Sequence, residues 1–164
     1  MGRLKQILAG LGVGCVFLAA SGSMSVASDK MEGIMVEQCR IRLIPAKDPR
    51  AAGYLTIHNH GATERVLISI TSEIAEEVEM HNTVMEGEMA RMERQERIAI
   101  PAHGSVTMKS GGYHLMFKKI NPQVKFGDSA TLVLHFQDGE KVETQAKVVS
   151  VREDVEKPHE HKGH

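Results

Sequence analysis

A histidine and a methionine in one predicted hairpin are the first residues of this sequence whose types and spacing suggest chemistry. Residues 80–92 read MHNTVMEGEMARM, and Glu86 with Gly87 can form a two-residue turn because glycine accepts a positive φ. With that turn, His81 lies directly opposite Met92. Opposed residues of an antiparallel pair point to the same face, with Cβ atoms roughly 4.5–5.5 Å apart. The hairpin therefore predicts an imidazole beside a thioether.

A second histidine and methionine lie close together in a later predicted strand. Residues 112–117 read GYHLMF, and His114 and Met116 share one face because side chains alternate along a strand. Methionine is also a common core filler, and a single strand histidine is usually packed or solvated, so packing explains either pair alone better than metal binding does. Both pairs together favour a ligand set, provided that the two strands meet.

The donor types in these two pairs indicate which metal they would bind. Thioether sulfur is neutral and soft, and it selects Cu(I) over magnesium, calcium or manganese. Zinc would favour cysteine or carboxylate ligands beside histidine, and a blue-copper electron-transfer centre needs a cysteine ligand. No arrangement of serine, histidine and acid stands out, and no paired carboxylates lie on the predicted face. The sequence thus predicts a copper-binding protein that is not an enzyme.

The composition agrees with one soluble globular domain. The 164 residues are 41% hydrophobic and 25% charged, with a net charge of −1, which gives no basic excess for a phosphate backbone. We therefore expect no nucleic-acid partner. Trp is absent, whereas Met occurs 10 times and His 9 times, so the soft donor groups are unusually frequent.

The elements that must position these residues are short strands. Turn signals such as Asp138-Gly139 separate β-rich runs, and no long segment has helical periodicity. The pattern predicts an antiparallel two-sheet sandwich or a small barrel. The predicted strands cover residues 34–43, 52–59, 65–71, 76–85, 88–93, 97–100, 104–109, 112–117, 129–136 and 141–151.

The two ends of the chain are interpreted separately from the β domain. Residues 1–27 have the basic start, the apolar run and the small residues before Ala27 of a cleaved secretory signal, which predicts a periplasmic protein without stable membrane insertion. An uncleaved anchor is a less favoured alternative. Lipid attachment at Cys15 is weaker still, because it would divide the apolar run. The domain is predicted to span residues 28–152, followed by a flexible tail over 153–164.

Four residues in register make the sequence resemble the periplasmic copper chaperone family PCuAC. His81 is followed after ten residues by Met92, then after twenty-one by His114, and one residue later by Met116, as in that family's signature. Other segments also resemble the family: Ala52 to Ile57 with Asn59 and Gly61, Ile100-Pro101-Ala102, and Gly111 to Met116. The resemblance covers roughly residues 33–151.

This resemblance implies a fold, a cargo and a partner. The fold would be a cupredoxin-like antiparallel Greek-key β-sandwich, with one Cu(I) held by the four residues of the signature. Copper would pass to a periplasmic acceptor, typically the binuclear copper centre of cytochrome c oxidase or its assembly factors. A periplasmic copper buffer or resistance protein without a dedicated acceptor is the alternative. A structural β-sandwich with methionine-rich packing ranks below both.

The histidines of the tail are candidates for a second copper site. His159, His161 and His164 lie outside the signature, and some members of the resembled family carry metal-binding extensions. Nitrogen donors suit Cu(II) better than Cu(I), so such a site would prefer the oxidised ion. A solvated tail without bound metal is an equally good interpretation. Cys39 alternates with Ile41 and Leu43, which indicates a buried small hydrophobe.

Overall fold

Ten β-strands and one short helix make up the part of the chain that the computed structural model describes, residues 33–44 and 50–156. All ten predicted strands are present, and the largest difference in bounds is at β8, which continues to Ile120. In chain order the elements are β1 (Ile34–Ile44), β2 (Arg50–Asn59), β3 (Arg65–Ser72), β4 (Ala75–Glu86), β5 (Met89–Gln95), β6 (Ile98–Ile100), β7 (Gly104–Met108), β8 (Tyr113–Ile120), β9 (Ser129–Phe136), β10 (Lys141–Val149) and α1 (Val151–Glu156).

The strands are hydrogen-bonded in the order β5-β4-β8-β2-β1-β10-β9-β3-β6, and β7 pairs with β2. The first half of β2 pairs with β8 and its second half with β7, so this strand joins two neighbours on one side. One aspect of the predicted class needs correction, because β1 and β10 run parallel, with Ile41 beside Val148. Every other pair is antiparallel, which keeps β4, β5 and β8 in one antiparallel group.

Alternation along the strands builds one core and leaves an outer face for polar chemistry. In β8, Leu115 and Phe117 are fully buried in the cluster to which nearly every strand contributes. Since side chains alternate, His114 and Met116 point to the other face of the same strand. The apolar residues of β8 therefore anchor the strand while its histidine and methionine remain available.

A glycine in β2 allows β8 to approach closely. A Cβ at Gly53 would lie 2.7 Å from Phe117 Cε2, closer than real Cβ contacts, and 3.0 Å from Leu115 Cβ, which is tighter than most. Gly53 pairs directly with Leu115, and the adjacent Ala52 pairs with Met116. The small residue thus sets the packing of the strand that carries two of the predicted ligands.

Helix α1 packs against β1 through ion pairs. Asp154 pairs with Arg40 and, at 3.3 Å, with Arg42. The helix extends past residue 152, where the sequence analysis ended the domain. The predicted signal at 1–27 and the three tail histidines lie outside the described residues. Within the described ranges no helix has the length and apolar character needed to cross a bilayer.

Candidate metal centre

The turn of the β4–β5 hairpin lies one residue later than predicted, which changes the register of the two strands. Thr83, not His81, pairs with Met92, and His81 pairs with Arg94, so the predicted direct opposition was wrong. The two loop residues are Gly87 and Glu88, and Gly87 alone in this turn has a positive φ, 64°. Glycine at the first central position is the pattern of a type II′ turn. The predicted turn would have forced a positive φ on a glutamate as well.

The corrected register keeps His81 and Met92 on one face. Both ends of the loop move by one residue, so partners change by two positions and no side chain changes sides. His81 and Met92 become diagonal neighbours, typically about 7–8 Å apart at Cα. That separation is within reach of a long thioether side chain and an imidazole that share one ion.

Pairing of β4 with β8 brings the second predicted pair alongside the first. His81 lies directly opposite His114, with ring centroids 5.9 Å apart and planes inclined by 33°. Met116 lies two pairs further along, opposite Glu79, and is the next residue of β8 on the same face. Adjacent strands β5, β4 and β8 therefore present all four predicted residues on one face. The sequence alone could not show that the two strands with the histidine and methionine pairs lie side by side, and the structure shows that they do.

Among these four residues, His114 is the least exposed and Met92 on the edge strand is the most exposed. His114 is only 8% exposed, and the His81 side chain is 14% exposed. Met116 is half-buried, whereas Met92 on the edge strand β5 is 59% exposed. The imidazoles are thus held by the sheet, while the thioether of Met92 is open to solvent.

Hydrogen bonds determine which imidazole nitrogens are free. Nδ1 of His114 lies 2.9 Å from the Gly112 carbonyl oxygen, and Nε2 of His81 lies 3.0 Å from Glu79 Oε2. Nδ1 of His81 is buried and has no hydrogen-bond partner among the residues that the structure describes. A buried polar atom without a partner is unusual in folded proteins, which marks this nitrogen as a candidate metal ligand.

Glu79 is the residue of this centre that sequence reasoning missed. Its side chain is 4% exposed and accepts hydrogen bonds from Lys118 at 2.6 Å and Arg94 at 2.7 Å. The hydrogen bond from Lys118, reinforced by that from His81, lowers the pKa of Glu79 from 4.5 to about 2. The available signal was the spacing, since Glu79 and His81 are two apart in one strand and share its face.

The chemistry of the described residues fits a thioether–imidazole site better than a carboxylate or thiolate site. No group of three or more histidine, cysteine or acidic residues within 33–44 and 50–156 is arranged to hold a metal. Cys39 contacts Thr144 Oγ1 at 3.4 Å, and burial raises the pKa of its thiol. His58 stacks on His60 near the end of β2. Soft sulfur with neutral nitrogen suits Cu(I).

Family and sequence comparisons cover most of the described chain. A family model described as "Putative lipoprotein LpqE-like" matches residues 34–148. A curated relative, "Putative lipoprotein Lxx21020" from Leifsonia xyli subsp. xyli, is 26% identical over 138 residues, which are 83% of this chain and 80% of the relative.

Solved structures with the same fold include PCuAC domains and a Cu(I)-bound protein. The copper-bound PCuAC domain from PmoF2 is 25% identical with a TM-score of 0.60, covering 71% of this chain and 92% of the domain. The solution structure of CuI-DR1885 from Deinococcus radiodurans has a TM-score of 0.61 at 21% identity, covering 77% of this chain and 85% of that protein. This likeness confirms the predicted all-β sandwich class. These relatives are binding domains rather than enzymes, which agrees with the predicted non-enzymatic protein.

Proposed function

This chain belongs to the LpqE-like family, and from that premise we propose that it is a Cu(I)-binding metallochaperone of the PCuAC type. The observation that carries the proposal is the placement of His81, Met92, His114 and Met116 on one face of three adjacent strands. The copper-bound domain from PmoF2 and CuI-DR1885, which share the fold, support the choice of cargo.

The four proposed ligands favour the monovalent ion. Two neutral imidazoles and two neutral thioethers add no anionic ligand, and soft sulfur prefers Cu(I) to harder divalent ions. The copper is cargo in this proposal, so the protein binds and releases it without a catalytic step.

Release would begin at the exposed edge of the centre. Met92 is 59% exposed, so its sulfur can be replaced by a ligand from an acceptor while the two buried histidines still hold the ion. Transfer then proceeds by stepwise ligand exchange. We propose as acceptor a periplasmic copper protein, namely the binuclear centre of cytochrome c oxidase or one of its assembly factors.

The proposed location is outside the cytoplasm, in the periplasm. Support comes from the signal-like residues 1–27 and from the lipoprotein description of the matched family. The tail histidines His159, His161 and His164 are proposed as a separate, weaker site that prefers Cu(II).

The binding proposal is tested by Cu(I) titration and X-ray absorption on a chain lacking residues 157–164, which removes the tail histidines but keeps α1. We expect one Cu(I) per chain with both sulfur and nitrogen scatterers, and loss of that binding when His81 and Met92 are both changed to alanine. Unchanged stoichiometry and affinity in the double variant, or nitrogen and oxygen scatterers alone, would refute the assignment.

The delivery proposal is tested in cells by gene deletion. Loss of cytochrome c oxidase activity that excess copper restores would support delivery to the oxidase. Copper sensitivity with normal oxidase activity would contradict delivery and indicate sequestration instead.

A further inference from the structure

The carboxylate of Glu79 accepts hydrogen bonds on both of its oxygens. Oε1 accepts from Arg94 Nη1 at 2.7 Å, and Oε2 accepts from Lys118 Nζ at 2.6 Å and lies 3.0 Å from His81 Nε2. The side chain is 4% exposed, so water does not compete strongly for these oxygens. Two cations therefore keep this buried group as an acceptor on the outer face of β4.

The contact with His81 determines where its ring carries the proton. An ionised carboxylate only accepts hydrogen bonds, so the 3.0 Å contact requires a hydrogen on Nε2 of His81. A neutral imidazole has one N–H, so Nδ1 then holds the free lone pair. That Nδ1 is the buried atom of His81 without a hydrogen-bond partner.

A hydrogen bond to the backbone fixes the opposite tautomer in the ring of His114. The Gly112 carbonyl oxygen, 2.9 Å away, can only accept, so the hydrogen lies on Nδ1 of His114 and the lone pair on Nε2. The two rings face each other across paired strands with centroids 5.9 Å apart. A carboxylate contact in His81 and a backbone contact in His114 thus fix different tautomers in the two neighbouring rings.

We propose that Glu79 is a positioning residue that fixes the His81 tautomer, so that Nδ1 of His81 and Nε2 of His114 are the nitrogens that bind copper. The inference rests on the proposed function for its cargo, while the tautomers themselves are properties of the copper-free protein. Partners that fix ring orientation and tautomer are a general feature of metal-binding histidines, and losing one typically costs about 10–100-fold in affinity.

The same contacts keep Glu79 out of the ligand set. Both of its oxygens accept hydrogen bonds, from Arg94, Lys118 and His81, and two of these donors are cations that compete with a metal for the carboxylate charge. The donor set therefore stays nitrogen and sulfur, although a carboxylate lies next to one ligand. Glu79 acts on the copper through His81 and does not touch it.

The test is 15N NMR of the histidine rings in the copper-free full chain at mildly alkaline pH, since the neutral ring is the form that has two tautomers. Protonated and lone-pair nitrogens have distinct shifts and coupling patterns. We expect Nε2–H on His81 and Nδ1–H on His114. Glu79→Leu should give a mixture of His81 tautomers, leave His114 unchanged, and lower Cu(I) affinity by about 10–100-fold in a competition assay.

The matched control is Glu77→Leu, because Glu77 lies two residues earlier on the same face of β4, is about half exposed, and contacts Arg94 at 3.8 Å. It should leave both tautomers and the affinity unchanged. If Glu79→Leu does not fold, Glu79→Gln serves in its place. Its single oxygen must be shared among Lys118, Arg94 and His81, so the Nε2–H population of His81 should fall.

Two outcomes overturn the inference. One is a wild-type His81 that carries its proton on Nδ1, and the other is a folded Glu79 variant with unchanged tautomer and copper affinity. If the wild-type chain binds no Cu(I), the proposed function fails, and the tautomers measured in the copper-free protein still decide the role of Glu79 separately.

Discussion

Replacement of Met92 by leucine separates copper binding from folding. Leucine keeps the volume and apolar character of methionine but has no sulfur. Met92 is 59% exposed on β5, so the free energy of unfolding should change by no more than about 0.5 kcal/mol. The proposed Cu(I) site would lose one donor of four. Its affinity should fall at least as far as for loss of an outer partner, roughly 10–100-fold or about 1.4–2.7 kcal/mol.

The matched control lies on the same hairpin. Met89 is 73% exposed and pairs with Glu86, which places it on the opposite face from Met92. Met89→Leu should leave both copper affinity and unfolding unchanged. Competition with a chromogenic Cu(I) chelator measures the affinity, and urea unfolding of the copper-free protein measures the stability.

Two results would refute this reasoning. Equal copper affinity for Met92→Leu and wild type would show that the edge thioether is not a ligand. Equal losses for Met92→Leu and Met89→Leu would show that face assignment does not decide binding. The comparison therefore tests the strand register as well as the site.

Three further predictions concern the scaffold. The hydrogen bond from Lys118 keeps the pKa of Glu79 near 2, below its usual 4.5, so its stabilising contribution is complete above pH 4.5 and is lost as the pH falls towards 2. Urea unfolding from about pH 5 to about pH 2 should show a shallower loss for Glu79→Gln than for wild type, and equal slopes would contradict this. Gly53→Ala should lower the free energy of unfolding by about 1–3 kcal/mol because its Cβ meets a packed ring, whereas Gly33→Ala, with open space around it, should change it little. Because burial raises the pKa of the Cys39 thiol, its alkylation at about pH 8 should be slow in the folded chain and fast in urea, and equal rates would show an accessible thiolate.

Much of the fold could be predicted from sequence because its signals are local. All ten strands follow from β-rich runs separated by turn residues, and the alternation in β8 correctly placed Leu115 and Phe117 on the face opposite His114 and Met116. The parallel pairing of β1 with β10 could not be predicted in this way. It joins residues about a hundred positions apart, and neither strand carries a local sign of its partner.

The metal centre could be predicted to a similar extent: its local features were largely correct, whereas contacts between distant strands could not be predicted. The hairpin turn was misplaced by one residue, since Glu86-Gly87 and Gly87-Glu88 both put a glycine in the loop. In the observed turn glycine comes first and no glutamate has a positive φ. The prediction that His81 and Met92 share one face was still correct, because side chains alternate with period two and the strand partners changed by two positions. Glu79 was missed because its importance comes from Lys118 on another strand, a contact that exists only after β4 pairs with β8.

The difference in burial among the four proposed ligands would let one face hold copper firmly and still release it. The histidines lie on the two inner strands, where the sheet restricts their rings and hydrogen bonds fix their protons. Met92 lies on the edge strand and is mostly exposed, so the energetic cost of moving it is small. Ligand exchange that starts at Met92 would expose the ion to an acceptor while two nitrogens still hold it. A centre with four equally buried ligands would instead require the sheet to open before copper could leave.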